Sequence, residues 1–429
     1  MSMREIRVGT PWNAPGLQRF NGDHPLPGSL VSDYPGYRFD FALSPADAAN
    51  IRRAQEEANA LRRDLSALTP LPRASDVEEF VVSRGLQTQA MMLTPCDLHF
   101  LHTAPLTHGK TPWILHIEEL LTLFAPFVWH GTSAKVDIRS VPAYRMVKRL
   151  LEAPACRGVF SHLKHSHDFL PVLFDSESLA RKVHHIPLGV EFSSAATKKI
   201  AERQDSRGGL PGTTFLFTNS WSQHESSFVL RGGSDVIRAF IGLVQKYPDV
   251  RLIMLTSLPV SHYGEGFRDF VRAVPNLTLI EQRASDDELV ELLMTADVFL
   301  VPSVGLHALS ILRSMYCGLP TVVSDAPGND EFVEHDKTGI VVPGRRGKTA
   351  WYDEIGFLHQ TFEPVFSKEL GDFSGALFQA MEQLHLDPER RRRIGAAARE
   401  QIRRHHRMDT WRDGFFRLLE TIRPTLPAA

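Results

Sequence analysis

Between Thr214 and Gly344, short apolar runs and helical patterns take turns along the chain. "TFLFTN" (214–219), "RLIMLTS" (251–257), "LTLIEQ" (277–282), "DVFLVPS" (297–303), "TVVSD" (321–325) and "GIVVPG" (339–344) each read as a strand. "GSDVIRAFIGLVQKY" (233–247) places Val236, Ile237, Phe240, Leu243 and Val244 at helical spacing. "SDDELVELLMTA" (285–296) opens on Ser285 with Glu288 three residues later, a capping box. The turn-helix "LHALSILRSMYCG" and a short piece at "NDEFVEH" fill the remaining gaps. Strands apolar throughout and separated by helices must be covered on both faces, which a parallel sheet provides. A doubly wound domain is therefore expected over about 205–385.

The chain has 429 residues, too many for one core, so a second domain is expected. "IRVGT" (6–10), "DLHFLHTA" (97–104), "PWILHIE" (112–118) and "GVFSH" (158–162) read as its strands, and "KVHHIPLGVEF" (182–192) as the closing strand and exit. "TKKIAERQDSRGGLPGT" (197–213) is polar and glycine-rich and reads as a linker. Residues 44–68 open on Ser44-Pro45 and carry Ile51, Ala54, Ala58, Leu61, Leu65 and Leu68 in a narrow helical seam, fewer than three heptads long. A helix lying on its own domain is the reading, ahead of a dimer contact. Residues 387–422 predict two helices in series, their arginines forming a solvated face.

Composition closes off several classes. A net charge of -2 gives no general electrostatic reason to hold nucleic acid. Cys96, Cys156 and Cys317 are an odd count without a C-x-x-C, which argues against a disulfide framework or a sulfur-rich zinc site. The start "MSMREIRVGTPWNAPG" lacks a signal-peptide core, and no apolar run reaches bilayer length. A cytoplasmic protein is expected. "HLKHSH" (162–167) with Asp168 has irregular spacing for a metal, and three histidines on a loop are more often cleft-lining or exposed. "GEGFRD" (264–269) lacks the third glycine of a dinucleotide fingerprint and follows no strand directly.

Two turns carry a possible chemistry. "VPS" (301–303) runs through Val304-Gly305 into a helix starting near Leu306 or His307. Ligands of doubly wound sheets bind at strand carboxyl ends, where free helix N–H groups and the helix dipole favour an anion. Gly305 would let the backbone approach closely. "TNSWSQHESSFVLRGGSD" closes on Arg231-Gly232-Gly233 before the next helix, a fixed cation and two glycines suited to phosphate. A surface arginine before a helix is the ordinary alternative; two phosphate-suited turns in one sheet make it less attractive.

The pattern resembles the GT-B glycosyltransferases of the large retaining family four, glycosyl transferases group 1. "RGGSDVIRAFIGLVQKYPDVRLIML" is similar to the family's K-G-x-x-x-L-I-x-A-F and following strand. "ADVFLVPS…LRSMYCGLPTVVSDAPGNDEFVEHDKTGIVVP" (296–343) follows its A-D-x-x-x-x-P-S, E-A-M-A-x-G-x-P-V-V and G-x-x-E runs. "HHIPLGVEF" resembles its P-N-G-V-D, and Trp411 stands where a tryptophan often opens the last helix. The likeness covers nearly all of 155–420 and is weak before that.

The resemblance implies an α/β GT-B fold, two Rossmann-like doubly wound domains facing across a cleft. Residues 1–200 would be the acceptor side, 201–407 would bind the nucleotide sugar, and 408–429 would be a terminal helix returning to the first domain. It implies retaining, metal-independent transfer of a hexosyl-type sugar to a glycan, lipid-linked or small-molecule hydroxyl acceptor, in polysaccharide or glycoconjugate synthesis. No cofactor is implied beyond the donor, and no D-x-D is present to bridge a metal to its diphosphate. Arg231 would contact the donor diphosphate, with Gly232 beside it. Gly305, Leu306 and His307 would hold phosphate and sugar through their amides. Glu331 matches the acid of G-x-x-E, Ser161 a serine lining the cleft, and His116 a histidine near the reacting centre. A histidine ending a buried strand is about as often structural. The acceptor hydroxyl would be polarised by the donor phosphate, with His116 as helper.

Three departures bear on activity. The family's two glutamates, eight positions apart, fall on Gly305 and Arg313, and its glycine-arginine pair falls on Asn219 and Ser220. Arg313 accepts no hydrogen bond. It would either supply the missing phosphate cation or exclude ordinary donors, so an altered donor preference is expected. A non-catalytic GT-B binding or partner subunit is the alternative. Lys135, Arg139, Arg145, Lys148 and Arg149 make a basic stretch that could meet anionic lipid at the cytoplasmic face; a solvated helix face is the plainer reading.

Overall fold

Six all-parallel strands form the sheet of each of two units in the computed structural model. The structure describes residues 4–10, 34–40, 96–105, 107, 111–124, 128, 131, 133–206, 212–219, 226–367 and 373–426. The helix expected over 44–68, and Ser220, lie outside these residues.

The first unit takes the chain up to Pro187, together with Asp353–Leu358 and the chain from Arg412 onward. Its strands are β1 (Ile6–Gly9), β2 (Tyr37–Asp40), β3 (Leu98–His102), β4 (Trp113–Ile117), β5 (Cys156–Ser161) and β6 (Val183–His185), in the order β2-β1-β3-β4-β5-β6. Every residue of β4 is buried, as a central parallel strand demands. Helix α1 (Pro142–Glu152) begins with proline in its first turn, and α2 (Lys164–Phe174) ends on Asp175 in the left-handed conformation. Two lysines satisfy the last carbonyls of these helices. Lys182 Nζ donates to the carbonyls of Leu151, Glu152 and Ala153 at 3.1, 3.0 and 2.9 Å, and Lys148 Nζ donates to Phe174 O at 2.6 Å.

Two later stretches complete this unit. Phe357 is fully buried with its ring 5.9 Å from that of Phe124, and His165 Nε2 donates to Gly356 O at 2.8 Å. Gly356 has φ +76 and packs so closely that a Cβ there would lie 2.2 Å from the Phe169 ring. Phe415 enters the core with its ring 5.5 Å from Phe100 and 5.3 Å from Phe160.

The second unit takes Leu188–Tyr352 and His359–Trp411. It opens with helix α3 (Ser194–Ser206), where the sequence reads as a linker from residue 197. Ala196 and Ile200 are its buried face and Lys199 pairs with Glu291, so a mostly polar surface helix passes for a loop. After it come β7 (Thr214–Thr218), α4 (Ser226–Leu230), α5 (Gly233–Lys246), β8 (Arg251–Leu255) and β9 (Leu277–Ile280). Helix α6 (Asp286–Thr295), β10 (Val298–Val301), α7 (Ala308–Tyr316), β11 (Thr321–Ser324) and β12 (Gly339–Val342) follow. A small two-stranded sheet of β13 (Ala350–Tyr352) and β14 (Leu358–Gln360) precedes α8 (Phe373–Leu386) and α9 (Pro388–His405), and α10 (Met408–Ile422) belongs from Arg412 onward to the first unit. The capping box at Ser285 is formed. Val236, Phe240 and Leu243 of α5 are buried against Leu377 and Met381 of α8 in one cluster; each such side chain contributes about 1.5–3 kcal/mol.

The sheet order β12-β11-β10-β7-β8-β9 contains one reversal. From β7 the chain proceeds outward through β8 and β9, then returns to lay β10 on the other side of β7. The carboxyl ends of β7 and β10 therefore diverge into the crevice where open α/β sheets take their ligands. The first unit reverses in the same way between β1 and β3.

Candidate anion-binding site

Arg231, Gly232 and Val304 meet at that reversal. Gly232, the N-cap of α5, has φ +83, and a Cβ on it would lie 2.6 Å from Pro302 O. Only glycine combines that dihedral with so close an approach. Val304 N–H donates to Leu230 O at 2.8 Å, tying the turn after β10 to the turn before α5. The two phosphate-suited turns of the sequence are thus one structure.

Further bonds set the shape of the second turn. Ser303 Oγ donates to Gly305 O, and Ser324 Oγ, at the end of β11, donates to Ser303 O. Asn329 Nδ2 donates to Ser324 O at 3.0 Å and holds the short 3₁₀ turn Asn329–Glu331 beneath the site. Ser303, Ser324 and Asn329 are fully buried. The sequence singled out none of them; small polar residues closing consecutive strands are the signal.

Helix α7 starts at this turn, with His307 at its N-cap and no side chain capping it. A Cβ at Gly305 would find its nearest neighbour, Gln360 Nε2, 3.8 Å away, so this turn has room that the turn at Gly232 lacks. Burial pulls Arg231 down to about 10, so it remains a cation at neutral pH. Burial, then the nearby Arg231 charge, holds His307 well below the ordinary histidine range, so it is neutral. A cation, a neutral imidazole and the first amides of a helix lie together here, an arrangement suited to a multivalent anion.

The remaining candidates occupy separate places. Leu306 packs its side chain on Gly328, 3.2 Å from where a Cβ there would sit. Asn219 follows β7, is buried, and points Nδ2 at Thr256 Oγ1 at 3.4 Å; its Oδ1 has no partner among the described residues. Glu331 is half-buried at the end of the 3₁₀ turn. Arg313, in the last turn of α7, pairs through Nη1 with Asp286 Oδ1 at 3.3 Å and lies 5.8 Å over the Phe192 ring.

In the first unit, Ser161 is fully buried, donating to Glu118 O at 3.2 Å and accepting from Leu163 N–H at 3.1 Å, which spends its hydroxyl on structure. His116 is 1% exposed and both its ring nitrogens face other histidines. His165 and His167 lie on α2, where the sequence reads a loop. No group of three or more His, Cys, Asp or Glu that could hold a metal ion occurs among the described residues.

Residues 229–361 match the family model described as glycosyl transferases group 1. The matched stretch spans both clamped turns, from α4 to just past β14. No curated protein matches the chain.

Solved structures resemble the whole of it. Sucrose-phosphate synthase from Thermosynechococcus elongatus is 15% identical with a TM-score of 0.58, covering 98% of this chain and 99% of its own. A trehalose-phosphate synthase (UDP-forming) from Burkholderia vietnamiensis is 11% identical with a TM-score of 0.55, covering 98% and 99%. Anabaena HepE in complex with UDP and glucose is 13% identical with a TM-score of 0.52, covering 97% and 100%. At such identities the likeness is one of fold, and the fold is GT-B. No described helix is long and apolar enough to cross a membrane.

Proposed function

We propose that this protein is a glycosyltransferase that moves a sugar from a nucleotide-activated donor to a hydroxyl acceptor. The observation that carries the reading is the clamp of Val304 on Leu230, which sets Arg231 beside the amino end of α7 at the reversal of the second sheet. As the glycosidic bond breaks, negative charge gathers on the leaving diphosphate. Arg231 and the amides of Gly305 to His307 are fixed in advance to meet that charge. They supply positive potential of the kind a bridging metal supplies elsewhere, which supports a metal-independent reaction. Retention of configuration rests on the family resemblance. The family match over 229–361, and similarity to structures named for sucrose-phosphate and UDP-forming trehalose-phosphate synthesis, support a nucleoside diphosphate sugar as donor. A cytoplasmic setting, with a glycan, lipid-linked or small-molecule acceptor, fits this chemistry.

Gly305 and Arg313 favour one rival. Neither side chain can accept a hydrogen bond from a donor hydroxyl. A GT-B subunit that binds a nucleotide sugar without turning it over would have this site. Calorimetric titration with UDP-, GDP- and ADP-sugars, followed by mass spectrometry of products from an acceptor library, separates the two. Binding and product formation with one donor support the enzyme. Binding without product from any acceptor supports the subunit, and no binding of any nucleotide removes both readings.

A further inference from the structure

Helix α1 divides its side chains among three directions. Ala143, Val147 and Leu151 are buried in the core of the first unit. Tyr144 and Lys148 hold the end of α2: Tyr144 Oη donates to Leu173 O at 2.8 Å and Lys148 Nζ to Phe174 O at 2.6 Å. Arg145 and Arg149, one turn apart, form the outward row and are exposed. Met146, on the flank of that row away from α2, is 42% exposed, and Val172 of α2, on the other flank, is 46% exposed. Lys135 and Arg139, in the 3₁₀ turns that lead into α1, are exposed as well.

Two observations separate this face from a plain solvated one. The first is a want of counter-charge. On the arginine-rich α9, Arg390 and Arg393 pair with Asp336, Arg392 with Glu389, and Arg403 and Arg404 with Glu400. Among the described residues, Lys135, Arg145 and Arg149 pair with no acid. Residues 135–152 hold five cations against Asp137 and Glu152, in a chain whose net charge is -2. Asp137 is spent on a cap, its Oδ1 accepting from Arg139 N–H at 3.1 Å, and Glu152 lies 3.8 Å from Lys148. Asp175, the C-cap of α2, is a third acid at this edge and leaves the balance positive.

The second observation is apolar. An exposed aliphatic side chain is ordinary by itself. Among the described residues of the first unit, however, Met146 and Val172 are the only large hydrophobic side chains exposed, and they bracket the arginine row.

We propose that the outer face of α1 is a docking surface for an anionic phospholipid bilayer. Guanidinium groups fork onto phosphate, and Arg139, Arg145 and Arg149, with Lys135, are long enough to reach lipid headgroups. Met146 and Val172 then enter the headgroup layer on either side, where their apolar surface leaves water. The contact is peripheral and shallow. A soluble polyanion would satisfy the cations and leave both apolar side chains in water, so the combination favours a lipid surface. The face belongs to the first unit alone, and its test stands whether or not the protein transfers sugar.

The experiment is flotation of the full chain with vesicles of phosphatidylcholine alone and of phosphatidylcholine mixed with phosphatidylglycerol. Association is expected with the mixed vesicles only, falling steeply as added salt screens the charges. Arg145→Ala and Arg149→Ala should each weaken it about fivefold, and the double variant by the product of the two. Arg145→Lys should keep most of the affinity, because the charge persists. Arg403→Ala, which removes an arginine that has an acid partner, should change nothing. Met146→Gln should weaken vesicle association and leave retention on heparin, a soluble polyanion, unchanged. All these side chains are exposed, so the melting temperatures should match that of the wild type. Equal association of the wild type with both vesicles, or with neither, would overturn the proposal without recourse to any variant. So would association that survives the double variant, or an equal loss in Arg403→Ala. Binding to heparin and vesicles alike, with no part for Met146, would make the partner a polyanion and also overturn it.

Discussion

Pro302 O and Gly232 Cα face each other so closely that no side chain fits between them. The contact, with the Val304–Leu230 hydrogen bond, makes the anion site depend on a backbone fit. Gly232→Ala should therefore destabilise the protein by about 1–3 kcal/mol and weaken nucleotide binding, read by melting temperature and calorimetry. Gly305→Ala, where there is room, should leave the melting temperature unchanged.

Arg231→Ala removes the fixed cation. Transfer should fall about a hundredfold to a thousandfold in kcat, with the melting temperature held or raised, because a desolvated charge has been removed. Arg231→Lys should recover part of the loss. Wild-type turnover in the alanine variant would place the diphosphate elsewhere.

His307 gives a pH signature of definite sign. Its folded value lies below the unfolded 6.5 because of burial and the Arg231 charge. Above 6.5 neither state takes the proton, and its contribution to stability is complete. As pH falls below 6.5 the unfolded chain binds a proton that the folded chain refuses, so stability declines towards the folded value. His307→Gln should flatten that part of the urea-unfolding profile. A bound anion offsets the Arg231 charge and raises His307, so nucleotide binding should take up protons below pH 6.5. Calorimetry in buffers of different ionisation heat would register the uptake.

Arg313→Glu should alter donor choice, and Arg313→Gln should alter it less. The glutamate restores a hydrogen-bond acceptor but sets a carboxylate near Asp286, now without its partner. Identical affinities for a panel of nucleotide sugars across the three proteins would remove Arg313 from donor recognition.

Arg345 is 1% exposed, stacked 4.0 Å over Phe373 and bonded to Asp235 Oδ2 at 2.6 Å. Arg345→Ala removes the nearest partner of the largely shielded Asp235, which keeps Ser374 Oγ at 3.2 Å and Arg238 at 3.8 Å, and should cost about 1–3 kcal/mol, measured by urea unfolding.

The second sheet could be read from the sequence because β7, β8, β10, β11 and β12 are buried runs and local caps such as Ser285–Glu288 mark the helices. The clamp could be suspected, since Arg231-Gly232-Gly233 and Val304-Gly305 each suit phosphate, but their hydrogen bond joins residues 230 and 304 and has no local signature. Helix α3 was hidden because, among its described side chains, Ala196 and Ile200 alone are buried. His116 drew notice through its strand and His162 through the HLKHSH run, while their meeting with each other and with His102 follows from strand register, which spacing does not encode. Arg313 could be named as an anomaly, whereas its partner Asp286 lies on another helix.

Gly356 and Phe357 belong by sequence to the later half and by packing to the earlier one. A polypeptide cut after Pro187 would lack the ring that covers Phe124, and also Phe415 from near the far terminus. Swapping the first unit for that of a related protein therefore needs four splice points. A chimera made with one should emerge with a hole in its hydrophobic interior, and during synthesis on the ribosome the front half must wait for nearly the whole chain before it can close.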